Sequence, residues 1–598
     1  MIRRFQTHWR LYSIALALGA AMLWGHAVFG TPPGSSFKHN LPWFEGFREA
    51  FWQGVLYPRI LPDLWFGMAG FDFYFYGPMP FWIASVLSPL VCPGCSTNSA
   101  FSVIGALMLL ASGGTFYLFA RTFFERLPAG IGAIAFVLLP YHYLSDWFAR
   151  QAIGEISAYI FLPLLALATV RLIEDRKGGA LFALSFAAIS LSHLPTALIL
   201  VHVIAVIVVW AAFTRDSDWT LRGTMLARFA VWGGLGAALS AFYWWPALSL
   251  LPLVSSDNLY SSYFEATQWL FLDGQPEPSE TTAMTSKWQL ALVLAAAGTS
   301  FFVLRRAQSL SSVRAWIFIP SLIAVLMMTV VSYPIWRYWI LNLVQFPSRF
   351  LVVTDVSIAL SVALIANHIA RVGLPNLSPT LRRGVLAIAA TGLIASVAAG
   401  HQAQRTGVKT YSVERLLDHT GPVDYIPAPL FAANIQRFNQ SVTDATPDAK
   451  RYELFFVEME RGQKLAMTKL QAAALETQIQ PVAGRGFDLT MTLAAPMPVS
   501  LPIAPWPYWD ARSSEGEPIP IGTDAELGVL TIDLPAGRTD VKLRAIASPA
   551  ERASQLLSLA ALLILVVFQS VYVMRFRTFR PSISTDPQTY PTSDRSGA

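Results

Sequence analysis

Apolar residues along this chain fall into runs separated by short polar stretches. Runs lie near residues 11–29, 100–120, 128–144, 155–172, 180–193, 195–213, 225–250, 287–304, 314–331, 350–371, 383–400 and 553–575. Most approach the roughly 20 residues an α-helix needs to cross a bilayer. The pattern predicts a polytopic α-helical membrane protein of about 12 spans. The run PFWIASVLSPLVC at 80–92 is short and bounded by proline, so it reads as a helix lying on the outer surface. Between 401 and 552 the pattern changes. RYELFFVEM, FDLTMTL and GVLTIDLP show the period-two alternation of strands, and turns such as PAGRTD and SSEGEP separate them. This stretch predicts a C-terminal β-sandwich-like domain outside the cytoplasm. The tail from 576 to 598 is rich in Ser, Thr and Pro and reads as disordered.

Composition agrees with the pattern. The 598 residues are 54% hydrophobic and 13% charged, with a mean hydropathy of +0.47, outside the balance of soluble globular domains. The net charge of +6 does not point to nucleic acid, because the basic residues are spread over short loops instead of gathered on one face. Their spacing reports insertion instead. RTFFER, EDRKGG, TRDSDWTLRG, RRAQSLSSVR, RVGLPNLSPTLRRG and the terminal MRFRTFR all fall on one side if 80–92 does not cross. Arg3, Arg4 and Arg10 place the N-terminus on that cytoplasmic side. No A-x-A site follows the first run cleanly, so it is expected to stay as an anchor. The expected division is a membrane domain over 1–400 with a first outer loop at 31–99, an outer domain at 401–552, a last span at 553–575 and a cytoplasmic tail at 576–598. The only cysteines, Cys92 and Cys95 in VCPGC, are too few for a disulfide framework or a zinc site and suit one local disulfide.

Four polar clusters fall on the outer side in this arrangement. The first outer loop carries His39, Asn40, Glu45, Glu49, Arg59, Asp63 and Asp72 among Trp43, Trp65, Tyr74 and Tyr76. Asp146, Arg150 and Glu155 lie in SDWFARQAIGEIS, His193 in SHLPT, and Gln345 and Arg349 in VQFPSRF. Ionisable groups converging on one membrane face are the pattern of a site. Simpler roles stand beside it: snorkelling anchors for the two arginines, a helix N-terminal acid for Glu155, a carbonyl-bonded ring for His193, and an interfacial belt for the aromatics. Trp506, Tyr508 and Trp509 read as sandwich core, with a glycan-stacking surface as the alternative.

HNLPWFEGFREAFWQGVLYPRILPDLWFGMAGFDFYFYGPMPFW, RQAIGEISAYIFLPL, SHLPTAL and QFPSRFL resemble a group of bacterial membrane proteins labelled 6-pyruvoyl-tetrahydropterin-synthase-related. VDYIPAP, LPIAPWPYWDARSSEGEPI and LTIDLPAGRTDVKL resemble the outer domain of YfhO-like relatives. The wider layout is similar to the GT-C superfamily of lipid-linked-sugar glycosyltransferases. The pterin label does not suit nine histidines scattered along the chain. What the GT-C resemblance implies is an enzyme of the bacterial inner membrane, with both termini cytoplasmic and residues 401–552 periplasmic or extracellular. It would take a sugar from a polyprenyl-phosphate carrier on the outer face, with membrane lipids and lipid-linked glycans as partners and no nucleic acid. Its base or metal ligand would be an acid of the first outer loop, Asp63 or Asp72. His39 and Asn40 belong to the same catalytic set, although similar sequences carry Asp where Asn40 stands and Asn cannot act as a base. Arg150, Glu155, His193, Gln345 and Arg349 would bind substrate, and a divalent cation is a candidate cofactor at Glu155 and Asp63. The alternative is a catalytically inactive lipid-glycan binding or envelope assembly protein with the same fold. A transporter would call for mid-span ionisable groups and repeated halves.

Overall fold

The computed structural model describes residues 19–26, 34–91, 93–174, 177–215, 218–256, 265–270, 280–305, 310–338, 340–373, 376–385, 425–442 and 448–578. The expected spans at 11–29 and 383–400, and the tail after 578, lie wholly or mostly outside these residues. Two short helices come first, α1 (Phe37–Trp52) and α2 (Met79–Val91). At 13 residues, α2 reaches about 20 Å and cannot span a ~30 Å hydrocarbon core. The membrane helices follow as α3 (Thr97–Ala120), α4 (Arg126–Leu138), α5 (Ile153–Glu174), α6 (Gly179–Ser192), α7 (Leu194–Arg215), α8 (Trp219–Leu239), α9 (Ala241–Ser249), α10 (Glu280–Leu304), α11 (Ser311–Met327) and α12 (Leu351–Val372).

Among the described residues, seven helices are long and apolar enough to cross a membrane, or eight if α8 and α9, bent by 73°, count as one broken span. The expected spans at 180–193 and 314–331 are shorter helices, α6 and α11, of 14 and 17 residues. α5 packs against α3 and α6, while α12 packs against α4, α10 and α11. One apolar core, including Phe116, Phe136, Tyr159 and Phe350, runs through these helices. Gly373, at φ 84°, ends α12 in a conformation that favours glycine.

The C-terminal region is mixed, not purely β. RYELFFVEM, expected as a strand, lies in α14 (Asp448–Ala473), which follows α13 (Ala428–Ser441). The helix wins because Phe455, Phe456, Met459, Ala466 and Leu470 bury at helical spacing and Lys464 pairs with Glu460 one turn away at 2.5 Å. Strands then follow as β1 (Ala474–Val482), β2 (Gly486–Leu493), β3 (Met497–Ser500), β4 (Trp509–Ser513), β5 (Ile521–Thr523), β6 (Leu530–Leu534) and β7 (Gly537–Ala545). They form two antiparallel sheets, ordered β1-β2-β7-β4 and β3-β6-β5. FDLTMTL and GVLTIDLP are strands as expected, and Phe487, Leu489, Met491 and Leu493 all face the core.

The first outer loop and the β-rich region share a second core. Phe71 stacks on Trp506 at 4.6 Å, Trp65 on Phe456 at 6.0 Å, and the Ala504 N–H donates to the Met68 carbonyl at 2.6 Å. Trp506 and Trp509 are therefore core residues, 2% and 3% exposed. The last helix, α15 (Pro549–Thr578), returns from this layer and packs on α8 and α9.

Candidate functional site

After α4 the chain does not continue as an α-helix. Leu139 is extended, Pro140 follows, and residues Pro140–Arg150 form a π-helix, a form found mostly as short pieces at functional positions. Its wider turn has a consequence for side chains. Nine residues make about two and a half α-helical turns, which would put Tyr141 and Arg150 on opposite faces. Here the Arg150 Nη1 donates to the Tyr141 hydroxyl at 3.1 Å and lies 2.7 Å from the Asp146 carboxylate. Gln151 then reverses the chain at φ 51°, ψ 47°, and α5 starts at Ile153. Glu155, in its first turn, accepts from the Tyr141 hydroxyl at 3.1 Å and sits 3.3 Å from Arg150 Nη2. Asp146 and Glu155 are fully buried and Arg150 is 18% exposed, so one guanidinium serves two buried carboxylates.

A second arginine enters from the turn that precedes α12. Gln345, at φ 69°, turns the chain back so that its Oε1 accepts from Arg349 Nη1 at 2.9 Å; the Val344 carbonyl accepts from the same nitrogen at 2.7 Å. A 3₁₀ turn, Pro347–Phe350, then leads into α12. Arg349 lies within electrostatic reach of Arg150, Glu155, Tyr141 and Asp146. Among the described residues it has no carboxylate within ion-pair distance, and its Nε is buried without an acceptor.

His193 breaks the chain between α6 and α7, with its Nδ1 2.8 Å from the Thr196 hydroxyl. It lies within electrostatic reach of Arg349 and Arg150. Tyr76, from the first outer loop, closes the group. Its phenol reaches the Gly154 backbone, and burial pushes it up to about 12. A Cβ on Gly154 would stand 2.8 Å from the Ser192 carbonyl, so glycine lets α5 and the end of α6 meet here.

The structure thus brings together Asp146, Arg150, Glu155, His193, Gln345 and Arg349 with Tyr76 of the first loop, and adds Tyr141. The first-loop residues are placed differently. Asn40 is buried and its Nδ2 donates to the Gln151 carbonyl at 2.6 Å, so it holds the turn between Arg150 and Glu155. His39 lies beside Trp43, ring centroids 6.1 Å apart, and burial with the Lys38 charge lowers it to about 3. Asp72 is 1% exposed. Burial raises it to about 8, and the Trp43 indole is the side chain that offsets this in part. Trp43 in turn packs on Tyr76 at 4.6 Å, so Asp72 stands one aromatic layer behind the cluster. Asp63 is exposed on the loop surface and carries no ion pair to either arginine. Glu155 and Asp63 do not fit a shared cation: Glu155 is engaged by Tyr141 and Arg150, and among the described residues no three His, Cys, Asp or Glu side chains converge. Cys95 is disulfide-bonded.

Beneath this group Asp355, fully buried in α12, accepts from the Tyr159 hydroxyl at 2.6 Å and from Gln289 Nε2 at 2.5 Å. His142 stacks on Tyr159 at 3.7 Å. An aspartate inside the apolar run LVVTDVSIAL was the available sequence signal for this network.

No protein-family profile matches the sequence, and no curated protein matches it. The narrower pterin-related and YfhO-like resemblances gain no support from these comparisons. Among solved structures, the chain is similar to the arabinofuranosyltransferase AftD from Mycobacteria, at 18% identity and TM-score 0.42 over 72% of this chain and 28% of that one. The chain thus spans little more than a quarter of AftD. It is also similar to the oligosaccharyltransferase AglB from Archaeoglobus fulgidus with an inhibitory peptide and a dolichol-phosphate, at 12% identity and TM-score 0.40 over 76% and 60% of the two chains. ArnT from Cupriavidus metallidurans bound to undecaprenyl phosphate gives 15% identity and TM-score 0.36 over 80% and 84%.

Proposed function

We propose that this chain is an integral-membrane glycosyltransferase of GT-C type that takes a sugar from a polyprenyl-phosphate carrier on the outer face of the bacterial inner membrane. The observation that carries the reading is Arg349. It is a largely buried guanidinium with no carboxylate of its own among the described residues, beside Arg150 and His193. The next residue, Phe350, lines an apolar groove of about 430 Å³ with His202, Val206, Ile323, Met327 and Leu341. A phosphate on an apolar chain matches a fork-shaped cation beside an apolar groove. In this reading Arg349 and Gln345 hold the headgroup, and Arg150, fixed by Asp146, Glu155 and Tyr141, sets the field around it. By the same reading α13, α14 and the two sheets lie on the outer face of the membrane, with both termini cytoplasmic.

One observation favours the second reading, a lipid-glycan binding or assembly protein without transfer activity. Asn40 is committed to the Gln151 carbonyl, Asp63 lies apart and Asp72 is enclosed, so no loop carboxylate stands free in the cluster to take the acceptor proton. Binding of a polyprenyl phosphate to purified wild type, Arg349→Lys and Arg349→Ala tests the shared part. Lysine keeps the charge and loses the fork, so both variants weaken binding, alanine by about 2 to 4 kcal/mol for a desolvated phosphate. Unaltered affinity in Arg349→Ala refutes the phosphate role. Release of sugar from a polyprenyl-phosphate donor by the wild type separates transferase from binding protein.

A further inference from the structure

The α8–α9 span turns through 73° at Ser240. In a continuous helix the Phe242 N–H would bond to the Ala238 carbonyl, four residues back. Here a hydroxyl from another helix stands between the two. Ser558 Oγ accepts from the Phe242 N–H at 3.0 Å and donates to the Ala238 carbonyl at 2.9 Å. Insertion of a side chain into the i to i−4 ladder is one of the few physical causes of a sharp kink. The Phe242 carbonyl is met from outside too, by Arg59 Nη2 of the first outer loop at 2.6 Å.

Both partners are themselves fixed. Arg59 Nε pairs with Glu551 Oε1 at 2.9 Å, with side-chain exposures of 10% and 3%, and the guanidinium lies 4.5 Å from the Tyr57 ring. Glu551 closes a capping box with Ser548: Ser548 N–H donates to Glu551 Oε2 at 2.8 Å and Glu551 N–H to Ser548 Oγ at 3.2 Å. Glu551, Ser554, Ser558, Ala561 and Leu565 are the buried stripe in the otherwise exposed residues 551–570 of α15, so the register that caps the helix also delivers Ser558 to the break. α9 borders the candidate site. Tyr243 donates to the Phe75 carbonyl at 2.8 Å and packs with Ala247 on Leu191, two residues before His193.

We propose that Ser558 is a wedge that holds α9 bent as a hinged flap beside the His193–Arg150–Arg349 cluster, with the Arg59–Glu551 pair setting the wedge in place. Without the hydroxyl, the cheapest way to pair two backbone groups in a water-poor setting is for Phe242 N–H and Ala238 C=O to bond to each other, which straightens the span. The test is a spin-label distance between Leu221 and Leu248, both exposed, in full-length protein with Cys92 and Cys95 replaced by Ser. At 1.5 Å per residue and the observed bend the separation is about 34 Å, and about 40 Å for a straight helix. Ser558→Thr keeps the hydroxyl and is expected to hold the short distance. Ser558→Val, its isostere without the hydroxyl, is expected to lengthen it by about 6 Å. Ser558→Ala, which adds no bulk, gives the same shift if the valine variant does not accumulate. An unchanged distance in folded Ser558→Val or Ser558→Ala overturns the proposal and assigns the bend to α8 and α9 alone. An equal shift in Ser558→Thr overturns it as well, because packing and not the hydroxyl would then set the angle.

Discussion

Replacing Asn40 by Asp exchanges one NH₂ for an oxygen, and the structure sets the cost. Asn40 is fully buried, and its Nδ2 donates at 2.6 Å to the carbonyl of Gln151, which also accepts from the Ile153 N–H at 2.8 Å. Gln151 holds a left-handed φ of 51°, so this bond supports the one strained residue between Arg150 and Ile153. Asn40→Ala loses the bond, at about 1 kcal/mol. Asn40→Asp loses it and also sets a buried, unpaired oxygen against the carbonyl, which adds about 1 to 3 kcal/mol. Burial would raise the new carboxyl above its unfolded value near 4, so its protonated, donating form is more populated in the folded state. The deficit is therefore small at low pH and grows as pH rises toward the folded pKa. Thermal unfolding of the purified protein in detergent at pH 8 is expected to rank Asn above Ala above Asp, with the Asp variant recovering toward wild type at pH 5. An Asp variant as stable as wild type at pH 8 would refute this account of the turn. So would a gain of sugar transfer from a polyprenyl-phosphate donor, since Asn40 would then mark a vacant base instead of a pin.

Tyr141→Phe keeps the ring and removes the hydroxyl shared by Arg150 and Glu155; the expected loss is about 1.5 to 3 kcal/mol for hydrogen bonds to charged groups, read as a lowered unfolding midpoint, and an unchanged midpoint would mean that the direct ion pairs suffice. Asp72, raised to about 8 by burial, binds its proton more tightly folded than unfolded. Its contribution is therefore full below about pH 4, declines as pH rises and is exhausted once pH passes about 8. Asp72→Asn is expected to flatten that part of the pH–stability curve, and an equally steep curve in the variant would assign the dependence elsewhere.

The membrane helices were legible because a long apolar run has one dominant cause. What the runs could not reveal were departures that depend on distant residues. The bend at Ser240 is bridged by Ser558, in a helix more than 300 positions later, and no local pattern in residues 219–249 carries that information. The π-helix was hidden for a related reason: Pro140–Arg150 is apolar and amphipathic enough to pass as the end of a span, and only the meeting of Tyr141 with Arg150 separates the two windings. RYELFFVEM shows the limit of periodicity over nine residues, where Phe455, Phe456 and Met459 fit either period until the 26-residue helix around them is seen. Arg150, Glu155, His193 and Arg349 were legible because charge at the mouth of an apolar helix requires a partner. Tyr141 carries no such signal, since a tyrosine at a membrane surface needs no special reason. Asp63 and Asp72 are the first-loop acids that the GT-C resemblance implies, and burial, which sequence does not report, separates one from the other.

The two arginines of the cluster are held in opposite ways, and that difference decides which of them is free to serve a ligand. Arg150 donates to Asp146 and Tyr141 and faces Glu155, so its charge is more than matched by its own surroundings. Removing it would strand two buried carboxylates, a loss of about 3 to 5 kcal/mol for breaking a buried pair, and the protein would fail structurally whatever its function. Arg349 is held by a backbone carbonyl and the Gln345 amide, both neutral, and its Nε has no acceptor among the described residues. A partly buried guanidinium without an anion is unfavourable for folding, and the next residue, Phe350, lines an apolar groove. An anionic headgroup would supply the missing counter-charge, and its apolar tail would cover the groove. A variant at Arg349 therefore reports on ligand binding with little loss of fold, whereas a variant at Arg150 cannot distinguish the two.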